Sequence, residues 1–233
     1  MDGRTLKIIG IITMTLDHVA VHLVDPSSVL YLVLRGFGRF AFPVFALMVA
    51  EGFRHSKNLK GYVTRLVSYA CLIEVFLLVL MVTTGLSYSV WPFFGTSSEN
   101  VIWPLAFGLL ALVLLSRESW VSLAGIVAVI ALVPVLAYPY GIYGVAMIVL
   151  FGMTDDRRFW FLGTLALTSI YVFVPLLTDP ETFSSLSYLQ MIAPLAVLMF
   201  FLYDGRRGRG NKWFFYVYYP LHIGVLVGLS MII

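Results

Sequence analysis

Long apolar runs, interrupted only by short polar segments, are the feature that most constrains the fold of this chain. A helix that crosses a bilayer needs about 20 mostly apolar residues, because it rises about 1.5 Å per residue through a hydrocarbon core of about 30 Å. Of the 233 residues, 61% are hydrophobic and 12% are charged, whereas soluble domains have about 25% charged residues. Because unpaired backbone amides are costly in lipid, such runs predict helices. The sequence therefore predicts an all-α, polytopic membrane protein with one membrane domain over residues 1–233.

Nine segments have the length and composition of membrane-spanning helices, within a range of eight to ten because two of them are short. A Tyr-Pro-Tyr-Gly turn at 138–141 separates two neighbouring segments. The first apolar run has no small-residue cleavage site after it, so we expect a retained helix there and not a signal peptide. The predicted helices are 6–24, 28–53, 61–83, 101–116, 120–137, 138–153, 159–177, 186–203 and 213–233.

Lysine and arginine residues fall in alternate loops of this arrangement. They occur near the N-terminus and in the loops after the second, fourth, sixth and eighth predicted helices. The other loops, at Asp25–Ser27, Thr84–Asn100, Tyr138–Tyr140 and Thr178–Ser185, contain no lysine or arginine. Because positively charged loops are retained in the cytoplasm, the pattern predicts a cytoplasmic N-terminus and an external C-terminus.

Ionisable residues inside the predicted helices are the candidates for function. Arg35 and Arg39 lie one turn apart on one face of the second helix, where a lone charge costs about 2.5–3.5 kcal/mol. Asp17, in the antiparallel first helix, reaches a similar depth and is the predicted partner of either arginine. We expect ionisable residues from four helices to converge on one layer, namely Asp17, His18, Arg35, Arg39, Glu74 and His222.

Two interpretations of this layer stay open from the residues alone. Intramembrane ionisable residues are functional by default, but static ion pairs that fix helix register would produce the same pattern. Glu51, beside Arg54 and His55, has the simpler interpretation of a solvated charge at a helix end. In the same way, Arg65 can extend to the cytoplasmic face, and His22 can sit at the outer interface.

Several short motifs together resemble the TraX family of membrane acetyltransferases. They occur in the same order along nearly the whole chain, and the set is more specific than any one member. The motifs are Leu16-Asp17-His18, Gly38-Arg39-Phe40-Ala41-Phe42-Pro43-Val44-Phe45-Ala46 followed by Glu51-Gly52-Phe53 and Arg54-His55, Glu99-Asn100-Val101, Tyr143-Gly144, and the stretch 216–222 reading YVYYPLH.

The resemblance implies acyl transfer. Family members N-acetylate pilin subunits in conjugative systems, and the family is distantly similar to transmembrane acyltransferases that modify glycans. In that wider group a basic residue precedes a first-helix histidine by eleven positions, as Lys7 precedes His18 here. The resemblance implies acetyl-CoA as cytoplasmic donor, an acceptor that is a pilin-like protein, a glycan or a lipid, and a location in the lipid of the bacterial cytoplasmic membrane. We expect no metal and no nucleic acid, and the acceptor and the oligomeric state are left open.

The resemblance also suggests a role for each candidate residue. His18 is the general base toward the acceptor, because imidazole exchanges a proton near neutral pH, or it forms an acyl-histidine. Asp17 orients His18 or pairs with Arg39, and the arginines stabilise the oxyanion. His222 is a second acid or base, or a binding group. The remaining binding candidates are Glu51 and Glu74, together with Lys7, Arg54, Lys57 and Arg65, the four cations that would hold the coenzyme A phosphates.

Two other classes of protein compete with this interpretation. A proton-coupled transporter also uses buried Asp, His, Arg and Glu residues, although the sequence lacks the inverted repeat that many transporters have. A non-catalytic membrane scaffold would not need the charged layer. Acetyl-CoA binding or hydrolysis separates the enzyme from both.

Overall fold

The computed structural model describes residues 1–85, 100–136, 138–181, 185–209 and 212–232. Most of the predicted outer loop Thr84–Asn100, including Glu99 of the third motif, lies outside these described residues. Within them the regular structure is helical, so the all-α prediction is confirmed there. The helices are α1 (Gly3–Leu23), α2 (Val29–Gly38), α3 (Ala41–His55), α4 (Leu59–Thr84), α5 (Ile102–Leu115), α6 (Trp120–Val135), α7 (Gly141–Met153), α8 (Arg157–Thr178), a 3₁₀ helix (Ser185–Ile192), α9 (Ala193–Phe200) and α10 (Lys212–Ser230).

Five helical segments of the described chain are long and apolar enough to cross a membrane. Four further apolar helices contain 10–17 residues each. Every predicted segment coincides with a helical stretch, but the count of nine spans and the orientation stay predictions. The five long segments are Gly3–Leu23, Val29–His55, Leu59–Thr84, Arg157–Thr178 and Trp213–Ser230.

The second predicted helix, 28–53, is divided into two helices by a tight turn at Arg39 and Phe40. The amides of these two residues donate to the carbonyls of Gly36 and Phe37, three residues earlier. Pro43 explains the change, since it has no N–H for the Arg39 carbonyl and its ring crowds that oxygen. The span predicted at 28–53 is retained as one segment, Val29–His55, but its helix is interrupted at this turn.

The eighth predicted helix also differs from expectation. Residues Ser185–Ile192 form a 3₁₀ helix, and the α-helix begins only at Ala193. Pro194 removes the N–H that would bond to the Gln190 carbonyl, and a proline is tolerated in an α-helix only in the first turn. The proline therefore marks the point where the α-helix can start.

The chain forms two compact units. The terminal unit contains Met1–Met48 and Asp156–Ile233, and the central unit contains Val49–Asp155. In the terminal unit α1 packs against α2 and α10, while the 3₁₀ helix contacts α2, α8 and α9. In the central unit α5 packs against α4, α6 and α7. The single membrane domain over residues 1–233 stays a prediction.

Two glycines let helices approach closely in the central unit. A Cβ atom at Gly108 of α5 would lie 2.4 Å from Cδ1 and 2.8 Å from Cβ of Ile148 on α7. A Cβ atom at Gly152 of α7 would lie 2.4 Å from a methyl of Leu112 on α5. Small residues at such positions give the close packing that drives helix association in lipid. The glycines therefore fix the α5–α7 interface.

We expect Gly108→Ala to lower the free energy of unfolding by about 1–3 kcal/mol, the usual cost of overpacking. The measurement is thermal or chemical unfolding of the purified protein in detergent. Gly228→Ala on α10 is the matched control, since a Cβ atom there meets no atom within 4 Å. Equal destabilisation by the two changes would contradict the packing argument.

Candidate functional site

One carboxylate and two guanidinium groups form an ion cluster between α1 and α2. The Arg35 Nη1 atom donates to Asp17 Oδ2 at 2.7 Å, and Arg39 Nη2 donates to Asp17 Oδ1 at 2.8 Å. Asp17 therefore pairs with both arginines, where the sequence predicted one or the other. The cluster carries one net positive charge when all three groups are ionised.

Gly38 allows the ion cluster to form. A Cβ atom at this position would lie 2.1 Å from Oδ1 and 2.4 Å from Cβ of Asp17, so only glycine fits against the carboxylate. The Arg39 side chain is fixed further by its Nε donating to the Arg35 carbonyl at 3.1 Å and by its Nη1 donating to Gln190 at 3.3 Å. The 3₁₀ helix therefore helps to position Arg39.

A chain of hydrogen bonds joins two histidines on α1 and α10. The Nδ1 atom of His18 lies 2.7 Å from Nε2 of His222, and Nδ1 of His222 lies 2.9 Å from the Tyr218 carbonyl oxygen. The two imidazole rings are nearly parallel, with 6° between their planes and 4.9 Å between their centroids. The predicted convergence of His18 and His222 therefore has a direct hydrogen bond at its centre.

The Tyr218 carbonyl determines which nitrogens carry protons when both rings are neutral. A carbonyl oxygen only accepts, so Nδ1 of His222 carries its proton and Nε2 of His222 is an acceptor. His18 must then donate from its own Nδ1. The Nε2 atom of His18 is left with its lone pair, and no described residue donates to it. This is the arrangement that a general base needs.

Tyr218 also holds α10 against α1. The Thr15 hydroxyl donates to the Ile11 carbonyl at 2.8 Å, so the Tyr218 hydroxyl donates to Thr15 at 2.7 Å. The Tyr218 ring lies nearly parallel to that of His222, with centroids 5.1 Å apart. Sequence reasoning did not single out Tyr218 or Thr15 as site residues, although each lies about one helical turn before a site histidine.

Glu74 forms a polar cluster within the central unit. Its Oε2 atom accepts from Asn100 Nδ2 at 2.8 Å and from Trp103 Nε1 at 3.0 Å. Asn100 also donates to the Ala70 carbonyl at 2.9 Å. These contacts join α4 to the start of α5, and the predicted common layer with the histidines stays a prediction.

Arg54 ties the end of α3 to the end of α7. Its guanidinium donates to Glu51 at 2.6 Å, to the Thr154 carbonyl at 2.6 Å and to the Phe151 carbonyl. Arg54 also forms a 3.1 Å ion pair with Asp155. Cations favour the carbonyl end of a helix. These contacts give Arg54 and Glu51 a structural role within the central unit.

The other cations that were predicted to bind phosphate lie in different environments. Lys57 is exposed just before α4. Arg65 is exposed on α4, with its guanidinium 5.9 Å from the centre of the Tyr62 ring. Lys7 is half-buried on α1, with its ammonium 5.4 Å from the centre of the Phe215 ring. No group of three or more potential metal ligands occurs among the described residues.

Comparison with known proteins identifies relatives along nearly the whole chain. Residues 2–230 match the family model described as TraX protein. The probable fimbrial assembly protein FimC, serogroup H1, of Dichelobacter nodosus is 31% identical over 235 residues, which cover 97% of this chain and 94% of that protein. No solved structure matches the chain.

The hydrogen-bond chain predicts one tautomer for both site histidines. At neutral pH we expect His18 and His222 to carry their proton on Nδ1 and not on Nε2, because the Tyr218 carbonyl sets the direction of donation. Nitrogen NMR of histidine-labelled protein measures this directly, with each signal assigned from a His→Gln variant. A proton on Nε2 of either ring would show that the direction of donation is different.

Proposed function

This chain belongs to the TraX family, and from that premise we propose that it is an acetyltransferase of the bacterial cytoplasmic membrane. It would transfer the acetyl group of acetyl-CoA, supplied from the cytoplasm, to an acceptor at or across the membrane. The observation that carries the proposal is the free basic nitrogen of His18 in a helix layer that also contains two arginines. Both features are contributed by adjacent positions of α1, through His18 and Asp17.

The histidine pair supplies the proton transfers of the reaction. His18 Nε2 removes a proton from the acceptor amine or hydroxyl as that group attacks the thioester carbonyl carbon. The resulting imidazolium keeps its Nδ1–H bonded to His222 Nε2, so the positive charge is stabilised by a second imidazole. When the C–S bond breaks, the same proton passes to the coenzyme A sulfur and His18 returns to its neutral form.

The arginines supply positive charge for the oxyanion that forms on the thioester oxygen. Arg35 and Arg39 share one carboxylate, Asp17, so one positive charge is not neutralised within the cluster. The buried Nε atom of Arg35 has no hydrogen-bond partner among the described residues and is a donor available to a ligand. Preorganised donors of this kind stabilise developing charge most strongly where water is excluded.

The acceptor in this proposal is a pilin-like protein. FimC of Dichelobacter nodosus is named as a probable fimbrial assembly protein, and TraX proteins are associated with the processing of pilin. The amine at a protein N-terminus would be deprotonated by His18 during attack. A glycan or lipid hydroxyl would follow the same steps, and acceptor assays with each class would separate them.

A proton-coupled transporter is the alternative that the same histidines suggest. A transport path must receive a proton at one end and release it at the other. The His18–His222 chain ends at the Tyr218 backbone carbonyl, which cannot accept a proton and pass it on. This geometry suits a base that is oriented and returns its proton to the reactants.

We propose nine membrane spans with a cytoplasmic N-terminus and an external C-terminus. Reporter fusions after Lys60 and Arg158 should therefore be cytoplasmic, because these loops carry positive charges. A fusion after Pro139 should be external. A cytoplasmic reporter at Pro139 would contradict the separation of α6 and α7 into two spans.

We expect His18→Gln to lower acetyl transfer by at least about 100-fold, since general acid–base catalysis contributes about 10²- to 10⁴-fold. Expression, monodispersity and coenzyme A binding should be retained, because intramembrane hydrogen bonds average only about 0.6 kcal/mol. The measurement is transfer of radiolabelled acetyl groups by purified protein in nanodiscs.

His55→Gln is the matched control for this change. His55 is exposed at the end of α3 and bonds to the Glu51 carbonyl within its own helix, so its loss should leave acetyl transfer near the wild-type rate. Wild-type transfer by His18→Gln would rule out the proposed base and make His222 the next residue to test.

A further inference from the structure

The start of the chain and the loop after α9 are joined at one end of the terminal unit. The Gly3 amide donates to the Arg206 carbonyl at 2.7 Å, and the Asp204 amide donates to the Met1 carbonyl at 3.0 Å. The Met1 ammonium donates to the Leu202 carbonyl at 2.7 Å. The loop is therefore held against the first turn of α1.

The carboxylate of Asp204 is already paired with cations of this junction. Its carboxylate accepts from the Arg206 side chain at 2.7 Å and lies 3.7 Å from the Met1 ammonium. Hydrogen bonds from the side chain and amide of Arg206 lower the pKa of Asp204 to about 2. A carboxyl with a lowered pKa is ionised above that value and loses its pairing only as the pH falls through it. The junction therefore keeps this charge at any pH near neutral.

The carboxylate of Asp2 is already hydrogen-bonded as well. Its Oδ1 atom accepts from the amide and the hydroxyl of Thr5, both at 2.9 Å, and so caps the start of α1. The backbone N–H of Thr5 lowers the pKa of Asp2. Gly208, with a φ of 71°, packs beside it, where a Cβ atom would lie 2.5 Å from Asp2 Oδ2 and 2.9 Å from Arg4 Cβ. The loop thus also contacts Arg4.

Four cations at this end form no ion pair with any described residue, and we call them the basic patch. Arg4 and Lys7 lie one turn apart on α1, and the Arg207 backbone lies beside the first turn of that helix, where a Cβ atom at Gly3 would be 3.2 Å from the Arg207 carbonyl oxygen. Like charges held near one another repel unless an anion lies between them. The basic patch consists of Arg4, Lys7, Arg207 and Arg209.

We propose that the basic patch binds the phosphate groups of the acyl-coenzyme A donor. This inference rests on the proposed acetyl transfer and names the residues that hold its donor. Guanidinium groups bind phosphate through paired, charge-assisted hydrogen bonds. Arg54, which the sequence suggested for this task, already donates to one carboxylate and two carbonyls.

The length of the donor fits the distance along α1. Eleven residues separate Lys7 from His18, which is about 16 Å of helix. The pantetheine arm has about twelve bonds between its phosphate oxygen and its sulfur, and at the rise of an extended peptide this is about 14 Å. A phosphate on the patch is therefore at a distance from which the pantetheine arm can reach the depth of His18.

Anionic lipid headgroups offer the same phosphate chemistry, but two features favour the donor. Lys7 is half-buried beneath Phe215 of α10, whereas attraction to a lipid surface needs only exposed charges. The loop is also fixed on α1 by several hydrogen bonds, so the patch has a defined geometry. A ligand that enters the unit along α1 explains both features.

The test is coenzyme A binding by the full-length protein in phosphatidylcholine nanodiscs, which contain no anionic lipid. We expect Arg207→Gln and Arg4→Gln each to raise the Kd by about tenfold or more, because each change removes a charge-assisted hydrogen bond to phosphate. Arg207→Lys should retain part of the affinity, because its charge remains. Arg158→Gln, which removes an exposed arginine at the start of α8, is the matched control and should bind as the wild type does.

A second arm replaces phosphatidylcholine with mixtures containing phosphatidylglycerol. Wild-type coenzyme A affinity in Arg207→Gln and Arg4→Gln, with loss of phosphatidylglycerol enrichment around these variants, would overturn the proposal in favour of a lipid site. Equal weakening by Arg158→Gln would overturn it in favour of a general charge effect.

The two proposals fail in different ways. Wild-type protein that binds coenzyme A through the patch but transfers no acetyl group would refute the proposed function and leave the patch intact. Acetyl transfer that depends on His18 but not on Arg4 or Arg207 would refute the patch alone. Absence of coenzyme A binding by the wild type would refute both.

Discussion

The pairing of one aspartate with two arginines is the interaction on which the terminal unit depends. A charge inside a membrane needs a partner, because neither lipid nor apolar side chains can replace its hydration. Asp17 serves Arg35 and Arg39 together, and this is only compatible with glycine at position 38. Satisfying these three groups brings α1 close to α2 and joins Arg39 to Gln190 of the 3₁₀ helix.

Depth along the helices was sufficient to predict much of the site. Asp17, Arg35 and Arg39 were expected to pair because antiparallel neighbours place them at similar depth, and the structure confirms the pairing. That both arginines share the carboxylate was not predictable, since it depends on the rotation of α2 about its axis and on the space left by Gly38. Helical segments were predicted well because apolar runs in lipid leave the backbone little alternative.

Other parts required three-dimensional information. The roles of Tyr218 and Gln190 arise from contacts across 203 and 151 residues of sequence, which periodicity does not reveal. The breaks at Arg39–Phe40 and before Ala193 did have a sequence signal, since Pro43 and Pro194 each remove one helical hydrogen bond. Glu74 was grouped with the other ionisable residues only because its predicted depth was similar. Its carboxylate accepts hydrogen bonds from Asn100 and Trp103 within the central unit.

The separation of the two histidines along the chain affects how the protein is made. His18 precedes His222 by 204 positions, and α2 to α9 lie between them in the sequence. Helices of a membrane protein enter the bilayer in order of synthesis, so α1 is inserted before these helices and before its partner α10. Any chemistry that needs this pair is therefore absent until α10 has been inserted and has packed against α1.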